Sequence, residues 1–565
     1  MIKKRIELLR KKFNQHNIDG YIVPKNDDFF SEYVFHDRLK IITDFKGSAG
    51  LAIILKKKNY LFVDGRYTIQ AQKQSGRLFK VVEVHKFLLH QILKNLKFGY
   101  DPSLFTAKNL MIYFKDSFKL KPIKKNLIDN IYPLKKQKIK KFFSIKKDVV
   151  GESYKSKLNK ISKILKKQKS DYLFISSPEN VAWVLNIRGS DNPYSPIPNS
   201  RLIIGKNKQM YLIAEEKKVT QIIKEKKIKK TQIISPEDFS NLIKILKGNK
   251  FTIDQNSCSV LNEQIIESKF KIINKNDPCY KLKAIKNSSE IKNMINTHIE
   301  DGVALTKFIF WIKNIKNRKI TEIDAKNKLE KFRKQNKNYL FPSFNTIAGT
   351  GANGAIVHYK SSKKTNKIIK KNHLFLFDSG GQYKYGTTDV TRTICFSKHS
   401  NSVKNIFTKV LKGHIAVATN DFSKINTGKQ IDQKARQFLK KDGLDYAHGT
   451  GHGVGFFSNV HEGPQSISKY NSIKLKKGMI LSNEPGYYKK NQYGIRIENL
   501  IYIKKNKKKL QFENLTLAPI EKDLINYKLL NKNEKNYLFK YHLSVYAKLS
   551  KFLNNNEKRW LARFI

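Results

Sequence analysis

The sequence predicts an α/β protein of several domains, with the candidate chemistry confined to a glycine-punctuated strand region in its second half. Three observations lead there. At 565 residues the chain is too long for one ordinary hydrophobic core, so two to four domains are expected. Its 40% apolar content, rich in Phe and Tyr, excludes wholesale disorder. Strand-like apolar runs alternate with helical stretches, the pattern of α/β layers.

The first segment, 1–150, opens with an amphipathic helix over Met1 to Arg10 and the strand Tyr21 to Pro24. Leu51 to Leu55 and Tyr60 to Arg66 read as a hairpin after the turn Gly47 to Gly50. A second α/β unit, 151–278, repeats this order: a Lys-rich helix, the strand Tyr172 to Ile175, then strands Leu202 to Ile204 and Tyr211 to Ile213. Near Asp277-Pro278 the chain breaks and a long helix is expected, with Ile285, Ile291, Met294 and Ile295 on one face. The third domain, 279–508, turns after residue 339 to strands joined by Gly-rich turns. A mostly helical tail, 509–565, follows, in which Trp560, Leu561 and Phe564 are expected to dock on the body or on a second subunit.

Five residues in the third domain stand apart: Asp378, Asp389, His452, Glu484 and Glu498. Asp378 ends the apolar strand Leu374 to Phe377, and Asp389 is expected in the return strand Thr387 to Thr393, so a hairpin brings both carboxylates to one side. Glu484 ends Met479 to Asn483 just before Pro485-Gly486. Glu498 is expected to share a strand face with Arg496. His452 lies in Gly449 to Gly455, glycines expected to let backbone approach a ligand closely. A single such acid is ordinarily solvated or salt-bridged. Four converging in apolar strands need a compensating cation, and two divalent ions balance them formally. Oxygen ligands with one imidazole suit Mn²⁺, Co²⁺ or Zn²⁺.

The order and spacing of these residues resemble the metal set of the pita-bread metallopeptidases, which include methionine aminopeptidase, prolidase and aminopeptidase P. The resemblance implies two divalent ions, most simply Mn²⁺, with Asp389 and Glu498 bridging them, Asp378 on one, and His452 with Glu484 on the other. Two ions ~3.5–4 Å apart share and acidify a water, and Glu484 beside it is the expected proton shuttle. His358, His448 and His461 match aminopeptidase P positions that line the cleft and hold the substrate's carbonyls, and Arg496 matches an arginine beside the metals. Catalysis is thus expected from His358, His461 and Glu484, and substrate binding from His358, His448, His461 and Arg496. Ser31 to Tyr33, Phe45 to Gly50, Val181 to Trp183 and Asn186 to Gly189 look like the family's two creatinase-like N-terminal domains. The match is to the long, three-domain form of aminopeptidase P. It implies hydrolysis of the N-terminal bond before proline, a homodimer and a C-terminal extension over 509–565. The alternatives are a prolidase-type dipeptidase, which has one N-terminal domain, and a pita-bread binding protein without catalysis.

Other signals carry less. The net charge of +66 is spread as Lys along the chain, as an AT-rich genome writes it, so no specific nucleic-acid partner is expected. Cys258, Cys279 and Cys395 have no CxxC spacing, which fits a reducing cytoplasm. The N-terminus lacks a signal peptide's apolar stretch, and no apolar run approaches the ~20 residues that span a bilayer, so a soluble, cytoplasmic protein without a membrane partner is expected. Gly349 to Gly354 spells GxGxxG, but Ala355 to Tyr359 reads as a strand where a dinucleotide site needs a helix. His461-Glu462 fails as a zincin HExxH because position 465 is Gln465.

Overall fold

The computed structural model describes residues 1–84, 93, 95–114, 119–134, 138–315, 319–507 and 509–565. The chain divides into two compact units, Met1–Cys279 and Tyr280–Ile565.

The first unit holds two six-stranded sheets built to one plan. In the first sheet Gly20–Pro24 is central. Leu51–Leu55 and Asn59–Val63 add antiparallel on one side, and Lys80–Glu83 completes that side in parallel. Lys97–Tyr100 and Lys119–Pro122 add in parallel on the other. The second sheet repeats every step around Tyr172–Ile175: Arg201–Gly205, Met210–Ile213 and Ile233–Ile234 on one side, Lys250–Ile253 and Lys271–Asn274 on the other. The expected duplication is therefore one of topology. Both central strands are buried along their whole length because apolar clusters cover both faces, and such strands read as unbroken apolar runs.

The second unit begins within the helix Pro278–Ala284 and continues with Ser288–Asn314, the latter started by a capping box between Asn287 and Glu290. Ile285 falls between them and is exposed, so the predicted apolar face is corrected. The buried face carries Met294, Thr297, His298, Asp301 and Leu305. It is partly polar because it backs the hairpin that bears the candidate site: Tyr383 donates to Asp301 at 2.7 Å. Three antiparallel sheets follow, a small one of Tyr339–Pro342, Gly381–Tyr383 and Gly386–Thr387 and two others. One is Ile347–Thr350, Phe375–Ser379 and Val390–Ile394. The other runs Glu462–Ile467, Gly451–Gly453, Ile480–Asn483, Asn499–Asn506 and Lys509–Asn514 in space. The hairpin Gly486–Lys489 with Tyr493–Arg496 joins them, since Arg496 N–H donates to the Thr393 hydroxyl at 3.0 Å. Trp560 and Leu561 lie in this unit's main core, with Phe564 packed against it, so the tail docks on the body. The cysteines are free and buried. Among the described residues no helix is long and apolar enough to cross a membrane.

A candidate metal centre

Each acid is placed where a strand ends. Asp378 lies in the strand Phe375–Ser379, opposite Thr391. Asp389 and Glu498 are not inside strands as expected. Asp389 occupies the gap between Gly386–Thr387 and Val390–Ile394, and Glu498 the gap between Tyr493–Arg496 and Asn499–Asn506. A residue between two ladders can turn its side chain inward without obeying the pleat, which suits a carboxylate that must converge on others. Glu484 follows Ile480–Asn483, and its N–H reaches the Thr450 carbonyl at 2.8 Å.

Two of the glycines around His452 are needed by the strands. A Cβ on Gly451 would stand 2.0 Å from the Ser482 carbonyl oxygen, and one on Gly453 2.2 Å from that of Glu462. The strands pack closely there, with a register shift between His452 and Gly453 that aims the imidazole. His452 Nδ1 donates to the Gly453 carbonyl at 2.9 Å. That leaves Nε2 facing Asp389 Oδ2 at 3.4 Å and Glu484 Oε1 at 3.5 Å. Ligand atoms of Asp389, His452 and Glu498 lie within 4.8 Å of one another.

The electrostatics are those of crowded buried anions. Burial, opposed by Arg496 but reinforced by Asp389 and Glu484, raises the Asp378 carboxyl to about 7. Burial and the charges of Asp389, Glu484 and Asp378 push Glu498 well above the carboxylate range. Against burial, the hydrogen bond to Asp389 and the charge of Glu484 lift His452 to about 9. Glu484, despite burial, is held down by His452 and Arg496. One cation, Arg496, donates to Asp378 Oδ2 at 2.7 Å, while Asp378 Oδ1 is buried without a donor among the described residues. Such an acceptor needs a cation or a proton, so the donor set fits divalent metal.

Arg496 extends the site outward. It donates to the Tyr488 hydroxyl at 2.6 Å, and that hydroxyl stands 2.8 Å from His448 Nε2. A guanidinium only donates. The tyrosine oxygen therefore accepts from Arg496 and passes its own proton to Nε2, while His448 Nδ1 donates to the Gly449 carbonyl at 2.8 Å. Both His448 nitrogens are engaged. The ring is neutral because burial holds it down to about 4. His461 has its ring centroid 4.2 Å from that of His452. His358 lies half-buried in a turn after the 3₁₀ helix Gly351–Ala355, so Ala355 to Tyr359 is not the predicted strand. The GxGxxG run thus opens a 3₁₀ turn, not an α-helix.

Several contributors are silent in the sequence: Thr391, which donates to Glu498 at 2.8 Å; Ser482, which donates to Glu484 at 3.0 Å; Tyr488; and Arg392, whose guanidinium holds the Glu498 carbonyl at 2.6 Å.

Comparison with known proteins gives the family. Residues 292–505 match metallopeptidase family M24 and 508–564 the C-terminal region of peptidase M24. Residues 5–129 and 133–290 each match a creatinase/prolidase N-terminal domain. Over 99% of the chain it is 36% identical to the "Probable Xaa-Pro aminopeptidase P" of Coprinopsis cinerea, covering 97% of that protein. It is 35% identical over the same share to Xaa-Pro aminopeptidase 1 of Dictyostelium discoideum, covering 96% of it. The crystal structure of X-prolyl aminopeptidase from Caenorhabditis elegans, described as a cytosolic enzyme with a di-nuclear active site, superposes with a TM-score of 0.92 at 28% identity. The match covers 100% of this chain and 99% of that one.

Proposed function

The chain belongs to the Xaa-Pro aminopeptidase P family, and from that premise we propose how its residues divide the reaction. It is a metal-dependent aminopeptidase that hydrolyses the bond between an N-terminal residue and a following proline, and it works with two divalent ions. The prolidase alternative is not favoured, since the superposed aminopeptidase spans the whole chain.

Asp378, Asp389, His452, Glu484 and Glu498 would hold the metals. The observation that supports this is His452 Nε2 lying within 3.5 Å of two carboxylates in a cluster whose Asp378 Oδ1 has no donor. Bound there, the ions supply Lewis acidity and lower the pKa of water. Glu484, kept ionised by His452 and Arg496, takes the proton as water attacks the scissile carbonyl carbon. When the carbon–nitrogen bond breaks, the same carboxyl returns the proton to the proline nitrogen. That nitrogen carries no hydrogen in the substrate, so a delivered proton is required for it to leave. His461 and His358 are assigned to the carbonyl oxygen, as donors to the charge that develops on it. His448, with both nitrogens engaged, is assigned to orienting Tyr488 and Arg496 and through them Asp378, although its ring also borders Glu484 at 3.9 Å.

Mn²⁺ is the assigned metal, Co²⁺ and Zn²⁺ being the other ions this ligand set suits. A cytoplasmic location is supported by the cytosolic relative from Caenorhabditis elegans, and a homodimer by family resemblance. The test is to strip purified protein with a chelator, reload it with each ion, count metal per chain and assay tripeptides with proline or alanine second. Two ions per chain, activity restored best by Mn²⁺ and strong preference for proline are expected. Full activity in verified metal-free protein would end the reading.

A further inference from the structure

The helix Gly428–Lys440 contributes no metal ligand, yet it carries a buried ion pair aimed at the site. Asp432 and Arg436 are four residues apart and so share one helix face. Arg436 Nε donates to Asp432 Oδ2 at 2.8 Å, and both side chains are almost fully buried. The rest of that guanidinium is spent on one segment. It donates to Asp445 Oδ1 at 2.6 Å, to the Tyr446 carbonyl at 2.7 Å and to the His448 carbonyl at 2.6 Å, and it lies 3.9 Å over the Tyr446 ring. The other Asp432 oxygen accepts from the Thr450 hydroxyl at 2.6 Å.

Stability alone gives little reason for such a pair, because a buried ion pair is commonly no better than apolar residues of the same volume. Its geometry gives another. Residues 445–450 are tied at both ends to one turn of helix, and this segment does two things for the reaction. It sets the backbone of His448, whose ring carries the relay through Tyr488 and Arg496 to Asp378. Its Thr450 carbonyl also receives the Glu484 N–H at 2.8 Å, which fixes where the proton-carrying carboxylate starts. We propose that Asp432 and Arg436 are positioning residues for hydrolysis, holding His448 and Glu484 in register through the segment 445–450. This rests on the reading of Glu484 as the proton carrier. A planar fork is needed to reach two carboxylates and two carbonyls together, which a lysine ammonium on a flexible stem does not provide.

The test uses full-length, metal-loaded protein. Arg436→Lys keeps the charge, and it is compared with His448→Ala, the double variant and Glu484→Gln for kcat, KM, metal per chain and thermal midpoint. Arg436→Lys is expected to fold, to bind both metals and to keep its KM, while kcat falls roughly 10- to 100-fold, the scale of a small misplacement of reacting groups. In the His448→Ala background the same change should cost much less, since part of what it positions is gone. Wild-type kcat in Arg436→Lys would overturn the proposal, as would effects that simply multiply in the double variant. So would a loss of rate that tracks lost metal or lost folded protein, which would mark the pair as structural. Wild-type kcat in metal-loaded Glu484→Gln would instead refute the proton-carrier reading, whatever Arg436→Lys shows.

Discussion

His452 and His461 stand with ring centroids 4.2 Å apart, yet their removal should be felt differently. His452 Nε2 points between two carboxylates, so His452→Ala should lower the metal count by elemental analysis and abolish activity with it. His461→Ala should keep both metals and lower kcat by roughly 10²–10³, the weight of one donor to a developing oxyanion. An empty metal site in His461→Ala would reverse the two assignments. The five candidate ligands were legible because four acids fall in or beside apolar strand segments together with one imidazole set among glycines, while their division as metal ligands comes from the family resemblance. Tyr488, Ser482 and Thr391 were not, because a hydroxyl in a strand is commonplace and each matters only through a partner far along the chain, such as Glu498 for Thr391. His448 was legible as a cleft residue, but its proton inventory follows only from the chain of contacts through Tyr488 to Arg496.

At the scale of elements, the site is aimed by close strand contact on one side and a buried charge cluster on the other. Gly451→Ala would place a methyl 2.0 Å from the Ser482 carbonyl. It should cost about 1–3 kcal/mol of stability, as overpacking does, and should weaken metal binding by displacing His452; unchanged denaturation and metal titration would count against the strand contact. Glu462, next to His461, is paired with both Lys286 and Lys283, and all three are buried. Lys286→Met leaves the carboxylate with Lys283 alone, at 3.8 Å. Chemical denaturation should show a loss of about 3–5 kcal/mol, the consequence of breaking a buried pair from one side, and a loss below 1 kcal/mol would mean Lys283 suffices. The duplicated sheets of the first unit were readable because parallel strands covered on both faces are written as apolar runs. The face of Ser288–Asn314 was misread for the opposite reason. Its inward side carries Thr297, His298 and Asp301 to back the hairpin, and a search for apolar periodicity passes over a polar face.

For the molecule as a whole, the net charge of +66 dominates the composition and the chemistry uses almost none of it. Most of the lysines lie along the surface, whereas around the candidate site the cations that meet several acceptors at once are arginines: Arg392 on the Glu498 segment, Arg436 on the 445–450 segment and Arg496 on Asp378. That division follows from the two side chains, one a hydrated point charge and the other a planar fork. The surface charge still creates a long-range positive field, so contact with polyanions is expected without any recognition of their sequence. Binding of DNA duplexes of unrelated sequence should therefore be equal within error. It should weaken as a linear function of log salt and be largely gone at physiological ionic strength, because neutralised phosphates release their counterions only once per contact. Peptide hydrolysis, driven by buried groups that salt screens poorly, should change far less over the same range. A titration of both properties on one sample checks this, and sequence-selective binding that survives physiological salt would show that the charge is organised for a partner.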